Sequence, residues 1–268
     1  MANAELLDLV VRGLGVAPLV PLRKAKGVHP LAIPACCRNL VGGTLVAQQL
    51  PMLRAALGPE VFGIGEGTEV LAQTVQVHSE LHPDFAYIKV DGSNAYGEQH
   101  REQGLRGLAE YCPPLVRFAG QWLDRRACYF VTMATGEVRV IFSDKGWDQG
   151  DAAAPAGWTC GFNRTRVRLR AALVDVVARE IGDTEAQDVL VGFYLDDGII
   201  GFPRALVYTV APLIVAVLAE GNYAVRLDKL QVWLPSGVPL PPPLEQTELA
   251  RTVYAQSSAR GLVLIDIT

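Results

Sequence analysis

Residues 189–202 read VLVGFYLDDGIIGF, with an apolar, β-rich arm on each side of Leu195-Asp196-Asp197-Gly198. Short apolar runs around a turn segment are typical of a β-hairpin, so the sequence predicts two paired strands, Val189–Tyr194 and Ile199–Phe202, with an acidic tip. Asp-Asp-Gly is also ordinary turn chemistry, because these residues favour the backbone angles of tight turns. The function of the tip therefore depends on what else the chain brings to it.

A second strand places another carboxylate in a similar position. The run Phe85–Val90 is β-rich and ends on Asp91. The other predicted strands are Leu31–Ile33 after a basic loop, Ala127–Met133, Glu137–Phe142, Val225–Leu234 and Gly261–Ile267. If the strand that ends at Asp91 lies beside the hairpin, three carboxylates gather at one edge.

Helices are expected between these strands, because apolar residues recur there with helical spacing. The predicted helices are Met1–Val11, Arg38–Leu57, Thr68 to about Pro83, Glu98–Leu123 with a break at Pro113-Pro114, Thr165–Ile181 and Leu206–Glu220. Thr68 is expected to cap the third of these helices, and Gly58 to end the second. Pro51 is expected to kink or split the second.

The composition excludes several classes of protein. Half of the 268 residues are hydrophobic and 19% are charged, which excludes disorder of the whole chain. The formal net charge is −4, so any binding of nucleic acid has to come from local basic patches. Five cysteines without a C-x-x-C pair predict neither a disulfide framework nor a zinc site, and they fit a reducing compartment.

No segment is expected to direct secretion or to enter a membrane. The first residues contain Glu5 and Asp8 and lack the basic region of a signal peptide. The longest uncharged stretch, Ala205–Ala219, is interrupted by Pro212 and is shorter than the ~18 residues of a membrane span. We therefore expect a soluble, intracellular protein without a membrane partner.

Asp91, Asp196 and Asp197 are the residues on which a reaction could be based. Carboxylates are hard oxygen ligands that suit Mg²⁺. Two such ions about 3.5–4 Å apart can activate a hydroxyl and stabilise the leaving oxygen of an in-line phosphoryl transfer. Three carboxylates on neighbouring strands would form a site of this kind.

The order of four motifs resembles the palm of reverse transcriptases. The motifs are VDGSNAY (90–96), GWDQGD (146–151), FYLDDG (193–198) and RLDK (226–229). Each is weak evidence alone, whereas four in the right order are specific. Three upstream segments are similar to the fingers of these enzymes, especially in non-LTR retrotransposons: PLAI (30–33), RNL (38–40) and GIGEGTE (63–69). The resemblance extends from about Arg23 to Thr268.

The resemblance implies an α+β fold, in which residues 1–88 form a partial fingers region and residues 89–268 a palm with an antiparallel sheet backed by helices. It implies RNA-directed DNA synthesis, in which dNTPs are added to the 3′-hydroxyl of a primer on an RNA or DNA template. Two Mg²⁺ ions, or Mn²⁺ in their place, would be held by the three carboxylates and the backbone carbonyl of Gly92.

Five further residues take roles through the resemblance. Tyr96 would crowd the 2′-hydroxyl of a ribonucleotide and so select deoxynucleotides, although a ring packed at a strand-to-helix junction is the alternative. Gln149 and Gly150 would lie under the incoming base pair and template. Lys229 would face the triphosphate from a strand, with a solvated lysine as the alternative. The basic run that includes Lys26 would contact the phosphates of nucleotide or template.

Departures from the family pattern keep other functions open. His29 stands where an arginine is usual, and the second motif contains the bulk of Trp147 and the charge of Asp148. The chain after Asp197 is expected to complete the palm without a thumb. These features favour a second hypothesis, a catalytically inactive or repurposed retroelement fragment. An RNA-dependent RNA polymerase is a third, and Tyr96 speaks against it.

Two groups of basic residues allow a structural or a functional interpretation. Arg164, Arg166, Arg168 and Arg170 alternate at the start of a predicted helix, so they could bind nucleic acid or form a solvated surface. His78 and His82 are four apart on a predicted helix, but no third ligand is nearby in sequence. We expect a structural role for both histidines.

Overall fold

The computed structural model of the chain describes residues 8–23, 28–65 and 67–258. The described residues form ten α-helices and nine β-strands. The helices are α1 (Asp8–Gly15), α2 (Cys36–Leu57), α3 (Thr68–Leu81), α4 (Ala95–Glu98), α5 (Arg101–Tyr111), α6 (Pro113–Leu123), α7 (Ala154–Glu180), α8 (Asp183–Gln187), α9 (Val207–Glu220) and α10 (Glu248–Ala255). The strands are β1 (Val16–Arg23), β2 (Val28–Ala32), β3 (Phe85–Asp91), β4 (Ala127–Thr132), β5 (Val138–Ser143), β6 (Leu190–Tyr194), β7 (Asp197–Pro203), β8 (Gln231–Trp233) and β9 (Ser257–Ser258).

The chain forms two compact units that alternate along the sequence. Of the described residues, the first unit contains 8–23, 28–58 and 96–162. The second contains 59–65, 67–95 and 163–258. The sequence predicted a single boundary after residue 88, between fingers and palm. That functional assignment stays a prediction, because a compact unit need not coincide with a functional region.

The second unit is built on a five-stranded sheet with the order β6-β7-β3-β8-β9. Strand β3 is antiparallel to β7 over its whole length, from the Phe85–Pro203 pair to the Asp91–Asp197 pair, and antiparallel to β8 on its other side. Residues 85–90 are all buried, which fits a central strand covered on both faces. Helix α3 covers one face, where Leu71 and Val75 pack with Tyr87. The predicted acidic hairpin is present as β6 and β7.

The first unit contains a smaller sheet with the order β2-β1-β4-β5. The predicted strands near 127–133 and 137–142 are confirmed as the antiparallel pair β4 and β5. The predicted basic loop before residue 31 is wrong, because its first part is β1, antiparallel to β2 and parallel to β4. Pro18 and Pro21 lie inside β1. Because proline is rare inside strands, the sequence did not predict a strand here.

Helices α2 and α3 confirm two predicted elements with small corrections. Helix α2 continues through Pro51, so it is not split there. Gly58 follows its last residue with a left-handed φ of 81°. A positive φ has a low conformational energy only for a residue without a Cβ. The prediction that α2 ends at Gly58 is therefore confirmed. Thr68 is the first helical residue of α3, and Gly67 takes the N-cap position predicted for Thr68.

Two predicted elements have the wrong extent. Helix α7 begins at Ala154, eleven residues before the predicted start. The prediction was too late because the sequence Ala154-Pro155-Ala156-Gly157 is typical of a loop. Proline is tolerated in the first turn of a helix, where its missing N–H has no partner to lose. The predicted strand Val225–Leu234 shrinks to β8, and Lys229 lies before it in a short 3₁₀ turn at 227–229. The predicted strand Gly261–Ile267 lies outside the described residues.

Within residues 8–23, 28–65 and 67–258, none of the helices combines the length and the apolar character that crossing a membrane would need.

Candidate functional site

The acidic site of the second unit lies where β3 ends beside the start of β7. Asp91 and Asp197 are direct cross-strand partners in the register of these strands. Asp196 precedes β7 in the two-residue turn, where Leu195 takes a left-handed φ of 54°. The sequence predicted that Asp91 would lie next to Asp196 on an adjacent strand. The strands are adjacent, but the residue directly opposite Asp91 is Asp197.

Each of the two facing carboxylates has a lysine counter-ion. Lys229 Nζ lies 2.7 Å from Asp91 Oδ2, and Lys89 Nζ lies 3.5 Å from Asp197 Oδ1. Lys89 is 4% exposed, which is rare for a lysine without a paired charge. Sequence reasoning missed this residue. The available signal was the spacing Lys89-Val90-Asp91, because residues two apart on a strand point to the same face.

The pKa of Asp197 reflects a balance of like and opposite charges. Burial raises the pKa of this carboxyl above its ordinary value, the Lys89 ammonium lowers it, and the nearby Asp91 carboxylate raises it again. Two carboxylates held this close resist being ionised together unless a cation lies between or beside them. The site therefore favours a positive charge next to Asp91 and Asp197.

A buried tyrosine holds the backbone of the turn that contains Asp196. The Tyr223 hydroxyl donates a hydrogen bond to the backbone carbonyl of Asp196. Burial raises the pKa of Tyr223 well above its ordinary value, and the charges of Asp196, Asp91 and Asp197 raise it further. The phenol therefore stays protonated, and its hydrogen bond fixes the backbone of the turn. Sequence reasoning missed Tyr223, and its position after a Gly-Asn turn gave no signal.

The segment before Lys229 runs along the residues that follow Asp91. Arg226 N–H donates to the Asp91 carbonyl at 2.9 Å, and Gly92 forms a β-bridge with Val225. A Cβ at Gly92 would lie 2.7 Å from the Tyr223 ring, so no larger residue fits there. The glycine after Asp91 therefore allows the Tyr223 ring to approach the acidic site.

The carboxylate oxygens of this site are the kind of ligand that divalent cations such as Mg²⁺ bind. Asp91 and Asp197 present carboxylate oxygens from adjacent strands, and the lysine ammonium groups already mark positions where positive charge is stabilised. In the described part of the chain, no three side chains of the His, Cys, Asp or Glu type are arranged together as metal ligands. Metal binding at Asp91 would require the Lys229 ammonium to move away.

The site residues predicted in the first unit are held by packing and by backbone contacts. Tyr96 is 6% exposed and its ring stacks on Trp158 at a centroid distance of 5.4 Å. At Gly150 a Cβ would lie 1.9 Å from the Ala32 carbonyl oxygen, so the close approach at this glycine is made by the protein's own backbone. The Gln149 side-chain oxygen is buried and has no hydrogen-bond partner in the described chain. Lys26 lies outside the described residues.

A buried ion-pair network holds the loop that carries Gln149 and Gly150. Arg38 pairs with Asp151 and, at 3.3 Å, with Asp148, and the exposed fraction of the Arg38 side chain is 5%. Asn39 adds two further bonds: its amide donates to the Gly150 carbonyl at 2.9 Å, and its side-chain oxygen accepts from the Ala152 N–H at 3.0 Å. The Arg38 and Asn39 of the fingers-like segment therefore fix the backbone of the second motif.

The structure explains why the second motif contains the large side chain of Trp147. Its indole N–H donates to Gln99 Oε1 at 2.8 Å, and its ring fills the space beside Gly104 and Gly157. A Cβ at Gly157 would lie 1.9 Å from that ring. The bulk of Trp147 is thus packed inside the first unit.

Three arginines of the series form ion pairs in the second unit, and His78 forms two hydrogen bonds there. Arg166 and Arg170 both pair with Glu60, at 2.7 and 3.1 Å, and Arg168 pairs with Glu220. His78 Nε2 donates to the Asp188 carbonyl at 2.7 Å, and its Nδ1 lies 2.6 Å from the Tyr87 hydroxyl. The expected structural role of His78 is confirmed.

An antiparallel sheet backed by helices, with two facing aspartates where β3 meets the tip of the β6–β7 hairpin, defines a reverse transcriptase-like fold. No family model matches the sequence, and no curated protein matches it. Among solved structures the chain is similar to telomerases, which are enzymes of the reverse transcriptase family.

The telomerase of Candida albicans, solved in complex with a TWJ fragment of telomeric RNA, aligns with a TM-score of 0.58 and 12% identity over 85% of this chain and 44% of that chain. The apo telomerase of Candida tropicalis truncated from its C-terminal domain aligns with a TM-score of 0.57 and 11% identity over 82% of this chain and 50% of that chain. This chain therefore spans half or less of the length of these telomerases.

Proposed function

We propose that this chain is an RNA-directed DNA polymerase domain of retroelement origin that adds dNTPs to the 3′-hydroxyl of a primer. The observation that carries the proposal is the pairing of Asp91 with Asp197 at the acidic hairpin tip of a reverse transcriptase-like fold. Asp91, Asp196 and Asp197, with the Gly92 carbonyl, would hold Mg²⁺ or Mn²⁺. Bound metal would supply activation of the primer hydroxyl and stabilisation of the leaving pyrophosphate.

The surrounding residues have distinct tasks in this proposal. Tyr223 fixes the Asp196 backbone, so the hairpin tip keeps its geometry when charge at the site changes. Lys89 compensates the charge of Asp197 from the buried side of the sheet. Lys229 would leave Asp91 and turn to the triphosphate, where its ammonium could protonate the leaving group. Its place in a 3₁₀ turn is compatible with such a rotation.

The proposed partners are a primer paired with an RNA template, and dNTPs. The Candida albicans telomerase and one of the Candida tropicalis telomerases were solved with RNA, which supports RNA as a partner of this fold. Tyr96 would select deoxynucleotides and Gln149 and Gly150 would approach the template. Phosphates of nucleic acid require positive charge locally, since the net charge of the chain is −4.

Primer extension on an RNA template tests the proposal. We expect incorporation of dNTPs with Mg²⁺ or Mn²⁺, and a loss of about 10³-fold in Asp196→Asn, because metal stabilisation contributes several kcal/mol to such reactions. Asp175→Asn, a charge-matched change of an exposed carboxylate on α7, should retain the wild-type rate. Equal extension by Asp196→Asn and wild type would exclude the carboxylate mechanism.

The ion pair between Lys229 and Asp91 favours a second candidate function. With both facing carboxylates compensated by lysines, the site is stable without metal, as a binding protein without polymerase activity would require. Such a protein would bind an RNA primer-template without extending it, and Asp196→Asn would leave the affinity unchanged. Filter binding beside the extension assay separates the two functions.

A further inference from the structure

A cavity of about 410 Å³ in the first unit is rich in arginine. Its lining includes Arg12, Arg38, Arg101, Arg125 and Arg126. Apolar side chains, among them Trp122 and Phe142, form other parts of the wall. Arg38 and Asp148 of the lining belong to motifs that carry the resemblance, but none of the lining residues was given a role in polymerisation.

Arginines outnumber acidic residues in the lining of this cavity. Asp148 is the acidic residue of the lining; it pairs with Arg38, while Arg126 pairs with Asp144 at 2.9 Å. Arg101 is 7% exposed, and its guanidinium donates to the backbone carbonyls of Lys145, Gly146 and Arg125.

No carboxylate within the described ranges forms an ion pair with Arg101. A buried charge without a counter-ion is costly, so an anion in the cavity would stabilise this arrangement.

Hydrogen-bond donors are also in surplus beside the cavity. Arg38 Nε and Trp122 Nε1 are buried and have no acceptor in the part of the chain that the structure describes. The Arg38 guanidinium lies over the Trp122 ring, 5.0 Å from its centroid. Buried donors in native structures are nearly always satisfied by protein, water or ligand, so two of them beside one cationic cavity indicate a missing acceptor.

We propose that this cavity binds the phosphate of a nucleotide. Guanidinium groups match phosphate oxygens with paired hydrogen bonds, and clustered arginines are the usual protein partner of such anions. Aromatic rings with neighbouring guanidinium groups offer stacking surfaces to a base, as Phe142 with Arg126 does at 5.3 Å. The volume lies within the range of small-ligand pockets. The phosphate could belong to a free nucleotide or to a nucleic-acid strand.

Isothermal titration in the presence of EDTA tests this proposal separately from polymerase function, because no metal is then available to the carboxylate site. The probes are AMP, ATP, adenosine and a short single-stranded RNA. The variant is Arg12→Gln with Arg125→Gln, two exposed positions of the lining. The control is Arg106→Gln, an exposed arginine on α5 that pairs with Glu102 away from the cavity.

We expect AMP or ATP to bind wild type and the control with equal affinity, and the double variant at least tenfold more weakly. Adenosine should not bind, since the phosphate supplies the recognised charge. If only the RNA shows this dependence on Arg12 and Arg125, the phosphate comes from a strand and the proposal stands. If the thermal midpoint of the double variant falls, Arg125→Gln alone replaces it. Equal binding by wild type and variants, no binding of any phosphate probe, or equal binding of adenosine and AMP would overturn the proposal.

Discussion

The two compact units hold their charged side chains in different ways. In the second unit, Asp91 and Asp197 lie at strand ends, each beside one lysine, and both carboxylates keep part of their surface exposed. In the first unit, Arg38 and Asp151 are buried together under a loop, and the neighbouring Arg101 is held by backbone carbonyls. A partly exposed ion pair can exchange partners, whereas breaking a buried pair is strongly destabilising. We therefore expect the ion pairs of the acidic edge to be the more adaptable, and the buried pair of Arg38 and Asp151 to contribute more to stability.

Arg38→Met should have the largest effect on stability. The substitution leaves Asp148 and Asp151 without their buried counter-ion, and breaking a buried pair in this way costs about 3–5 kcal/mol. The free energy of unfolding, from urea titration, should fall by that amount. Arg106→Met removes an exposed pair and should change it by less than about 0.5 kcal/mol. Similar losses in the two variants would remove the distinction between sealed and exposed charge.

Lys89→Met should cost less, about 2 kcal/mol, because Asp197 keeps contact with solvent after losing its partner. The added change Asp197→Asn should recover most of the loss, since it removes the uncompensated charge. A double-mutant cycle by urea unfolding measures this coupling. If the two changes simply add, the pair is not coupled and the acidic edge is not a balanced site.

Gly157→Ala tests whether the loop around Trp147 is rigidly packed. The new methyl group would overlap the indole ring, and overpacking costs about 1–3 kcal/mol. Gly120→Ala is the matched control in α6, where a Cβ meets no atom within 4 Å. That helical glycine should gain about 0.5–1 kcal/mol on substitution. A stable Gly157→Ala protein would show that the Trp147 ring can move.

These residues also show which features the sequence could predict. The strand before Asp91 and the acidic hairpin follow from local patterns, because β-propensity and turn chemistry depend on neighbouring residues. The strand β1 was missed because its prolines conceal the pattern, and the early start of α7 because small residues resemble a loop. Tyr223 and Arg38 act through partners distant in sequence, so no local pattern could assign them, whereas the spacing Lys89-Val90-Asp91 was a local signal for Lys89. Tertiary contacts decide these positions.

Tyr96→Ala compares packing with sugar selection in the first unit. If the ring excludes the 2′-hydroxyl, as the resemblance implies, ribonucleotide use relative to deoxynucleotide use should rise about tenfold, the effect of roughly 1.4 kcal/mol. Primer extension with competing dNTP and NTP measures the ratio, with Tyr111→Ala as the control tyrosine. Unchanged discrimination with a lower thermal midpoint would show that Tyr96 only stacks on Trp158.

The smallest expected effect is a pH dependence in the second unit that arises from His78. Burial lowers the pKa of His78 below 6.5; the bond to the Asp188 carbonyl opposes this shift, and the nearby His82 adds to it. Because that carbonyl can only accept, Nε2 carries the proton and Nδ1 accepts from the Tyr87 hydroxyl.

The folded state therefore favours neutral His78. Its contribution to stability is complete above pH 6.5, the ordinary pKa, and is lost as the pH falls through the lower folded value. Urea midpoints between pH 7.5 and pH 5 should decline more steeply for wild type than for His78→Gln, with exposed His100→Gln following wild type. Parallel declines in all three proteins would contradict a partly buried, neutral imidazole at His78.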